Sequence, residues 1–210
     1  MTAGQGIDRL AAQVAFVLEV DRLKSVLRRG YTADGSRREN TAEHSWTLAL
    51  MALVLAEHAA DPVDVARVVK MVVIHDIVEV DAGDTYVYDE VGRADKVARE
   101  ERAADRLFGL LPPDQCAEVR ALWDEFEAGA SADARFARSL DRFAGFLLNH
   151  ASGGRSWREN GVTADMVVGV NQAIEAGSPV LWGEVRARLA DAQARGWIEP
   201  GPAGGGDPTP

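Results

Sequence analysis

The chain contains a single cysteine, Cys116, among its 210 residues. One cysteine cannot form an internal disulfide, and its segment offers no partner for nucleophilic chemistry, so we expect an ordinary reduced thiol. Long hydrophobic runs are also missing: the longest uncharged apolar stretch, Trp46 to Ala56, is too short to cross a bilayer. The start of the chain carries Asp8 where a signal peptide would need positive charge. We therefore expect a soluble, cytoplasmic protein with no membrane partner.

Positive charge is in deficit. The 23 Lys and Arg residues face 33 Asp and Glu residues, which gives a net charge of -10. Such a field repels a polyphosphate backbone, so extended nucleic acid is excluded as an expected partner. Apolar residues make up 47% of the chain, enough to bury one core at this length.

The alternation of apolar and polar residues that marks a half-buried strand is absent from the sequence. Apolar residues instead recur at spacings of three and four, which predicts a single all-α domain over residues 1–198. The expected helices cover about 10–28, 41–58, 61–80, 94–110, 113–128, 131–150, 163–176 and 179–195. Thr41, Asp61 and Ser178 are expected to cap three of them. Loops are expected at 30–40 and 81–92, and a flexible Gly- and Pro-rich tail at 199–210.

His75 and Asp76 stand next to each other inside the apolar run VVIHDIVEV. Ionisable groups are costly to bury unless they are paired or bind a metal. Glu79 follows His75 by four residues, so a continuous helix would place both on one face. A hydrogen-bonded pair with no further role is the alternative interpretation of the His-Asp dipeptide.

Two further polar residues lie in apolar surroundings. His44, in TAEHSW, falls in the first turn of a helix whose later positions form core. Asp141, in FARSLDRFAGFLL, shares a helical row with small and apolar residues. Each has a structural alternative: a satisfied buried histidine in one case, and an aspartate bonded to Arg142 or to a helix end in the other.

Taken together, His44, His75, Asp76 and Asp141 resemble the H…HD…D pattern of the HD-domain superfamily. The chain is most similar to its nucleotidase-like branch through AEHSW at 42–46, HDIVEVDAGD at 75–84 and the dipeptide at 140–141. The resemblance covers about residues 10–195 and implies an HD-domain helical bundle with these four residues as metal ligands.

Two imidazoles and two carboxylates suit one divalent transition metal ion, Mn, Co, Fe, Ni or Zn, and leave positions for water and substrate. Enzymes of this type with two metals need extra histidines, and none occurs from 77 to 140. The resemblance also implies Glu79 and Asp84 as an acid and base pair. The alternatives are that Glu79 only orients a ligand histidine and that Asp84 is an ordinary turn residue.

The segment at 24–38 concentrates cations in an otherwise acidic chain, so it is the candidate for phosphate recognition. In the resembling deoxynucleotidases an arginine followed by an aromatic residue precedes the first histidine. Counting back places Arg29 there, but Gly30 replaces the aromatic residue and Tyr31 follows. Arg37 and Arg38 are the other candidates, and a solvated basic loop is the alternative.

These expectations combine into a phosphomonoesterase that acts on a small phosphorylated substrate, most specifically a deoxynucleoside 5'-monophosphate. A triphosphohydrolase of deoxynucleoside triphosphates shares the ligand pattern but is generally longer, and a hydrolase of another small phosphorylated metabolite is a further alternative. A non-catalytic metal- and nucleotide-binding module is the alternative of another class. The resemblance and the apolar helices near both ends of the domain also predict a homodimer.

Overall fold

A computed structural model describes residues 3–89, 91–92 and 94–201, which are mainly helical. The helices are, in chain order, α1 (Ala3–Val20), α2 (Thr41–Leu55), α3 (Val65–Ile74), α4 (Glu79–Ala82), α5 (Lys96–Phe108), α6 (Pro113–Ala128), α7 (Ala132–Ala151), α8 (Arg155–Glu159), α9 (Ala164–Asn171), α10 (Ile174–Gly177) and α11 (Pro179–Ala194). A small antiparallel hairpin pairs β1 (Leu27–Tyr31) with β2 (Arg38–Asn40). The predicted all-α fold class is confirmed, with the hairpin as an addition.

Helix α7 lies at the centre of the helices and contacts α2, α3, α6, α10 and α11. Ser131 begins this helix, and its Oγ accepts a hydrogen bond from the backbone N of Ala134 at 3.1 Å. Phe136 and Leu140 are buried in the main hydrophobic core. Asp141 therefore lies on a helix that is packed from several sides.

The residues directly after α3 connect two hydrophobic clusters. Val72, in the last turn of α3, belongs to the main core around α7. Ile77, which follows α3, packs in a second cluster with residues of α5 and α6. Burying each such side chain contributes about 1.5–3 kcal/mol to the free energy of unfolding. His75 and Asp76 lie between these two anchored positions, so packing on both sides fixes where they stand.

The helix predicted over 61–80 begins later than expected. Asp64, and not Asp61, is its N-cap: the Asp64 carboxylate accepts a hydrogen bond from the backbone N of Ala66 at 3.0 Å. Asp61 instead accepts a hydrogen bond from Arg135 on α7 at 2.9 Å. The partner on another helix, which the local sequence does not show, decides which of the two aspartates caps.

The same helix also ends earlier, at Ile74. The carbonyl oxygen of His75 accepts a hydrogen bond from Nε1 of Trp123 at 3.1 Å, and the backbone N of Ile77 donates to Ile74 at 3.1 Å in a tighter turn. The chain then enters α4, which begins with Glu79. The prediction that Glu79 shares one helix with His75 is therefore wrong, although both residues reach the same place.

The first predicted helix ends at Val20 rather than near Arg28, and the predicted loop at 30–40 contains most of the hairpin. Leu27 pairs with Asn40, and the pairing is irregular between Leu27 and Tyr31. Strands this short have too few residues to show an alternating apolar and polar pattern, so no local pattern predicts them.

Asn40, and not Thr41, caps α2. The Asn40 side chain accepts a hydrogen bond from the backbone N of Glu43 at 2.9 Å, and the Glu43 carboxylate accepts one from the backbone N of Asn40 at 3.3 Å. This capping box satisfies two backbone donors at the helix start. Thr41 is thereby free to bond elsewhere, and the α2 turn that carries His44 is fixed.

The predictions for α5, α6, α7 and α11 are confirmed, and Ser178 caps α11 by accepting from the backbone N of Leu181 at 3.1 Å. The helix predicted over 163–176 is divided into α9 and α10, and α8 was not predicted. No helix among the described residues has the length and apolar character needed to cross a bilayer. Of the predicted tail, residues 202–210 lie outside the described residues, so its flexibility stays a prediction.

Candidate metal centre

Four side chains from three separate parts of the chain meet at one place. His44 lies in the first turn of α2, His75 and Asp76 follow α3 directly, and Asp141 lies in the middle of α7. Nε2 of His44 is 2.9 Å from Oδ1 of Asp141, and Nε2 of His75 is 3.1 Å from Oδ2 of Asp76. The other two His-to-Asp distances are 4.0 Å each. The structure thus brings together all four residues of the sequence pattern.

Both histidines present Nε2 to this cluster. Nδ1 of His75 lies 2.9 Å from the carbonyl oxygen of Val72, and because a carbonyl only accepts, Nδ1 carries the proton. Nε2 of a neutral His75 then offers its lone pair, and within the described residues this buried atom has no hydrogen-bond partner. Nδ1 of His44 lies 3.5 Å from Oε2 of Glu39, at the outer limit of a hydrogen bond, and makes no hydrogen bond within the described residues. A carboxylate or carbonyl behind the ring is the usual support of a metal-binding histidine, and the Val72 carbonyl has this role for His75.

The two aspartates are charged. Burial would raise the pKa of Asp76, but the positive charges of protonated His75 and of Arg28 hold that pKa at about 2. Burial would likewise raise the pKa of Asp141, yet the hydrogen bond with His44 keeps it well below its ordinary value. Burial would lower the pKa of His44 and of His75, but the neighbouring acids raise it. Because a metal binds neutral imidazoles and ionised carboxylates, an ion at this place would displace the proton from each ring.

These residues fit a divalent cation. Among the described residues, His44, His75 and Asp141 each offer one ligand atom, and these atoms lie within 4.8 Å of one another. Asp76 adds a second carboxylate from the adjacent position. The mixed nitrogen and oxygen donor set matches transition metals, and the unpartnered Nε2 of His75 is explained once it binds one.

Glu79 lies beside this cluster at the start of α4. Its side chain is buried, and Thr41 donates a hydrogen bond to its Oε2 at 2.8 Å. Burial raises the pKa of Glu79 well above its ordinary value, and the neighbouring charge of Asp76 adds to this effect. The structure therefore places Glu79 next to the predicted metal ligands. It does so because the chain turns between α3 and α4, and not because Glu79 and His75 share one face of a helix.

Arg28 also belongs to this site, although no sequence pattern distinguishes it from its neighbours. Its side chain is 19% exposed and lies among four carboxylates: Asp76 at 3.0 Å, Glu39 at 3.6 Å, Asp84 at 3.8 Å and Asp141 at 3.9 Å. Burial raises the pKa of Asp84, while Arg28 acts in the opposite direction. The buried cation partly compensates an otherwise repulsive group of acids.

A cavity of about 320 Å³ opens onto these residues. Asp76, Glu79, Asp84 and Asp141 lie in its wall on the side of the cluster. Tyr86 and Tyr88 also line it, with their ring centroids 5.2 Å apart, together with polar residues of α7 and α9. A smaller cavity of about 90 Å³ borders the same centre and is lined by His75, Asp76, Lys96, Glu100, Phe126, Glu127, Arg138, Asp141 and Arg142.

Of the four residues predicted for phosphate recognition, only Arg29 lines the larger cavity. Arg37 makes two hydrogen bonds of 2.8 Å to Glu43 at the surface. Tyr31 is buried and donates to Glu159 at 2.8 Å, and Arg38 stacks on the Tyr31 ring at 5.0 Å. The structure does not bring Arg37, Arg38 or Tyr31 to the cavity, because partners within the chain hold them elsewhere.

Comparison with known proteins gives consistent matches. A family model described as "HD domain" matches residues 20–182. The 5'-deoxynucleotidase HDDC2 of Homo sapiens is 34% identical over 60% of this chain and 61% of its own length, and that of Bos taurus is 34% identical over 67% and 66%. The matched part thus spans slightly less than two thirds of these relatives.

A solved structure is similar over almost its whole length. It is the crystal structure of a protein named "Predicted metal-dependent phosphohydrolase" from Magnetospirillum magnetotacticum MS-1. It is 53% identical in sequence, has a TM-score of 0.88, and the alignment covers 92% of this chain and 97% of that one. At this identity and coverage, the likeness extends to the helices that carry the candidate centre.

Proposed function

The chain belongs to the HD-domain family, and on that premise we propose that it is a metal-dependent phosphomonoesterase acting on deoxynucleoside 5'-monophosphates. The observation that carries the proposal is the convergence of two histidines and two aspartates on one buried point beside an open cavity. The relatives named 5'-deoxynucleotidases support the choice of substrate.

We assign His44, His75, Asp76 and Asp141 as ligands of one divalent ion, which is Mn, Co, Fe, Ni or Zn. When bound, such an ion polarises a phosphoryl oxygen and activates a water nucleophile. The chain's own contribution begins with the orientation of the ligands: Val72 fixes the His75 ring through Nδ1, and Glu39 stands behind His44. The burial of both rings restricts access to the cavity side.

Glu79 and Asp84 move the protons in this proposal. Both line the cavity next to Asp76, where the reacting phosphate would lie. The Thr41 hydroxyl occupies Oε2 of Glu79, which leaves Oε1 to exchange a proton with water or with the leaving oxygen. Arg28 offsets the negative charge of the surrounding carboxylates, so a phosphate dianion can approach them.

The nucleoside would occupy the part of the cavity between the loop after α4 and helix α7. A volume of about 320 Å³ is at the small end of the range for small-molecule sites. Tyr86 and Tyr88 offer aromatic surface there, and Asn149 offers its Oδ1, which has no hydrogen-bond partner among the described residues, while its Nδ2 donates to the Gly145 carbonyl. This combination suits a flat heterocycle with polar edges.

Phosphate release tests the proposal. Purified protein is loaded with each candidate metal and incubated with deoxynucleoside monophosphates, ribonucleoside monophosphates, deoxynucleoside triphosphates and sugar phosphates. We expect orthophosphate from the deoxynucleoside monophosphates. Tripolyphosphate from the triphosphates would identify a triphosphohydrolase instead, and metal binding with no release from any substrate would identify a binding module.

We propose in addition that the protein is a cytoplasmic homodimer. Two exposed apolar rows support a second copy as partner: Leu10, Val14, Val17 and Leu18 on α1, and Trp46, Leu50, Leu53 and Val54 on α2. In each row the residues recur at helical spacing, so they form continuous stripes. Light scattering should give twice the mass of the 22.6 kDa chain at micromolar concentration, and the single-chain mass would contradict the dimer.

Cell fractionation tests the proposed location, and we expect the protein in the cytoplasmic fraction.

A further inference from the structure

Five cations line the larger cavity: Arg28, Arg29, Lys96, Arg138 and Arg142. Three of them already have partners in the chain. Arg28 lies among the carboxylates of the metal centre, and Nζ of Lys96 is 2.7 Å from the Glu100 carboxylate. Arg138 donates to the backbone carbonyl of Glu127 at 2.8 Å. Acceptor groups of the protein itself therefore largely compensate the positive charge of these three residues.

Arg29 and Arg142 differ from these three. Within residues 3–89, 91–92 and 94–201, neither guanidinium has a carboxylate oxygen within 4.0 Å, and neither donates a hydrogen bond. Both stay unpaired although 33 acids outnumber 23 bases in the chain. A guanidinium group has five N–H donors. An unpaired guanidinium at a cavity wall can therefore bind an anion without breaking an ion pair or hydrogen bond within the protein.

Arg142 is also well placed. It follows Asp141 on α7 and lines both cavities, so it borders the metal centre as well as the wider space beyond it. Gly145 stands three residues further on the same wall, and a Cβ added there would meet nothing within 4 Å. The space next to Arg142 is therefore open to a ligand.

We propose that Arg142 binds a non-bridging phosphate oxygen of the substrate beside the metal centre, and that Arg29 assists from strand β1. This inference rests on the proposed function, since it takes the ligand to be a phosphorylated substrate. Arg142 is a specificity residue in this view: it favours phosphate-bearing ligands, while Arg28 balances the acids of the centre. Two guanidinium groups from different elements can hold a tetrahedral anion from two directions.

Calorimetry with inorganic phosphate as the probe tests this assignment. Metal-loaded wild type and Arg142→Gln are compared, with Arg102→Gln as the matched control. Arg102 is exposed on α5, is not in the cavity wall and, among the described residues, also has no carboxylate partner. We expect phosphate affinity to fall about tenfold to a hundredfold in Arg142→Gln, the scale of a hydrogen bond to a charged group. Metal content and the affinity of Arg102→Gln should stay at the wild-type values.

Arg142→Lys keeps the charge but loses the planar fork, and we expect an intermediate affinity. Equal phosphate affinity in wild type and Arg142→Gln would overturn the inference, and so would a wild type that binds no phosphate. Circular dichroism confirms that each variant is folded, which the half-buried position of Arg142 favours.

Kinetics separate this inference from the proposed function. If the inference is right, Arg142→Gln raises KM for a deoxynucleoside monophosphate more than it lowers kcat. Phosphate release with an unchanged KM in the variant would leave the proposed function intact and overturn the role of Arg142. An Arg142-dependent phosphate affinity in a protein that hydrolyses no substrate would support the role and contradict the proposed function.

Discussion

At the scale of single residues, the surroundings of Glu79 separate a chemical role from a supporting one. Its carboxyl group accepts a hydrogen bond from Thr41, and burial together with the charges of Asp76 and Asp84 raises its pKa. Glu79 is not one of the four proposed ligands. Glu79→Gln keeps the size and the hydrogen-bonding reach but removes proton transfer. We expect kcat to fall roughly a hundredfold or more, with metal content near wild type, when initial rates and elemental analysis are measured on one preparation.

Glu175→Gln is the matched control, because Glu175 is exposed on α10 and does not line the cavity. This variant should behave as wild type in both measurements. A joint loss of metal and rate in Glu79→Gln would make Glu79 a support of the metal shell. An unchanged rate with unchanged metal would remove Glu79 from the mechanism.

His75→Ala and Asp76→Ala each remove a proposed ligand, so we expect loss of activity and of most metal binding. Stability should also fall, because the remaining polar groups are left buried without partners. His58→Ala is the control: His58 is half-buried at the end of a short turn and does not line the cavity. Metal analysis and a phosphate-release assay measure both effects. Wild-type metal content together with wild-type activity in either ligand variant would show that the metal is not bound by these residues.

Much of the centre was predictable from residue types alone. Charged and ionisable groups inside apolar runs, at His75, Asp76 and Asp141, require compensation, and a shared metal provides it. Arg28 was not predictable, because choosing between Arg28 and Arg29 needs the strand direction that only the fold shows. Tyr31 was assigned to substrate, but Glu159 on α8 holds it, and that helix was not predicted.

At the scale of elements, the outcome depended on whether the signal is local. Pro113, Gly129 and Ser178 mark helix ends by their own chemistry, and Gly129 has φ +59°, so α6 and α11 were predicted well. The end of α3 depends instead on Trp123 of α6, whose Nε1 donates a hydrogen bond to the His75 carbonyl oxygen. No local pattern records such a partner, so two helices were predicted as one.

The Asn40 cap gives a prediction at this scale. Asn40→Ala removes the side-chain acceptor at the start of α2 and should lower the free energy of unfolding by about 1 kcal/mol. Because His44 lies in the first turn of α2, we also expect weaker metal binding. Ser178→Ala removes the cap of α11, and its destabilisation should leave metal affinity unchanged. Urea unfolding and metal titration of both variants check this, and equal metal affinities in the two variants would contradict the link.

At the scale of the whole molecule, the proposed ion connects α2, the end of α3 and α7, which are far apart in sequence. A ligand that binds only the folded state stabilises it, by about 2.7 kcal/mol at a free concentration of one hundred times Kd. Metal-loaded wild type should therefore melt at a higher temperature than chelator-treated protein. His75→Ala should show no such difference, and an equal difference in this variant would indicate that the metal binds elsewhere.

We propose that hydrolysis requires one ion held by His44, His75, Asp76 and Asp141. The decisive measurement is a titration of chelator-treated protein with a divalent metal, with orthophosphate release from a deoxynucleoside 5'-monophosphate as the signal. We expect no release without metal and a rate that rises to a plateau at one equivalent per chain. Full release by metal-free protein, or none at any metal content across the candidate metals, would contradict it.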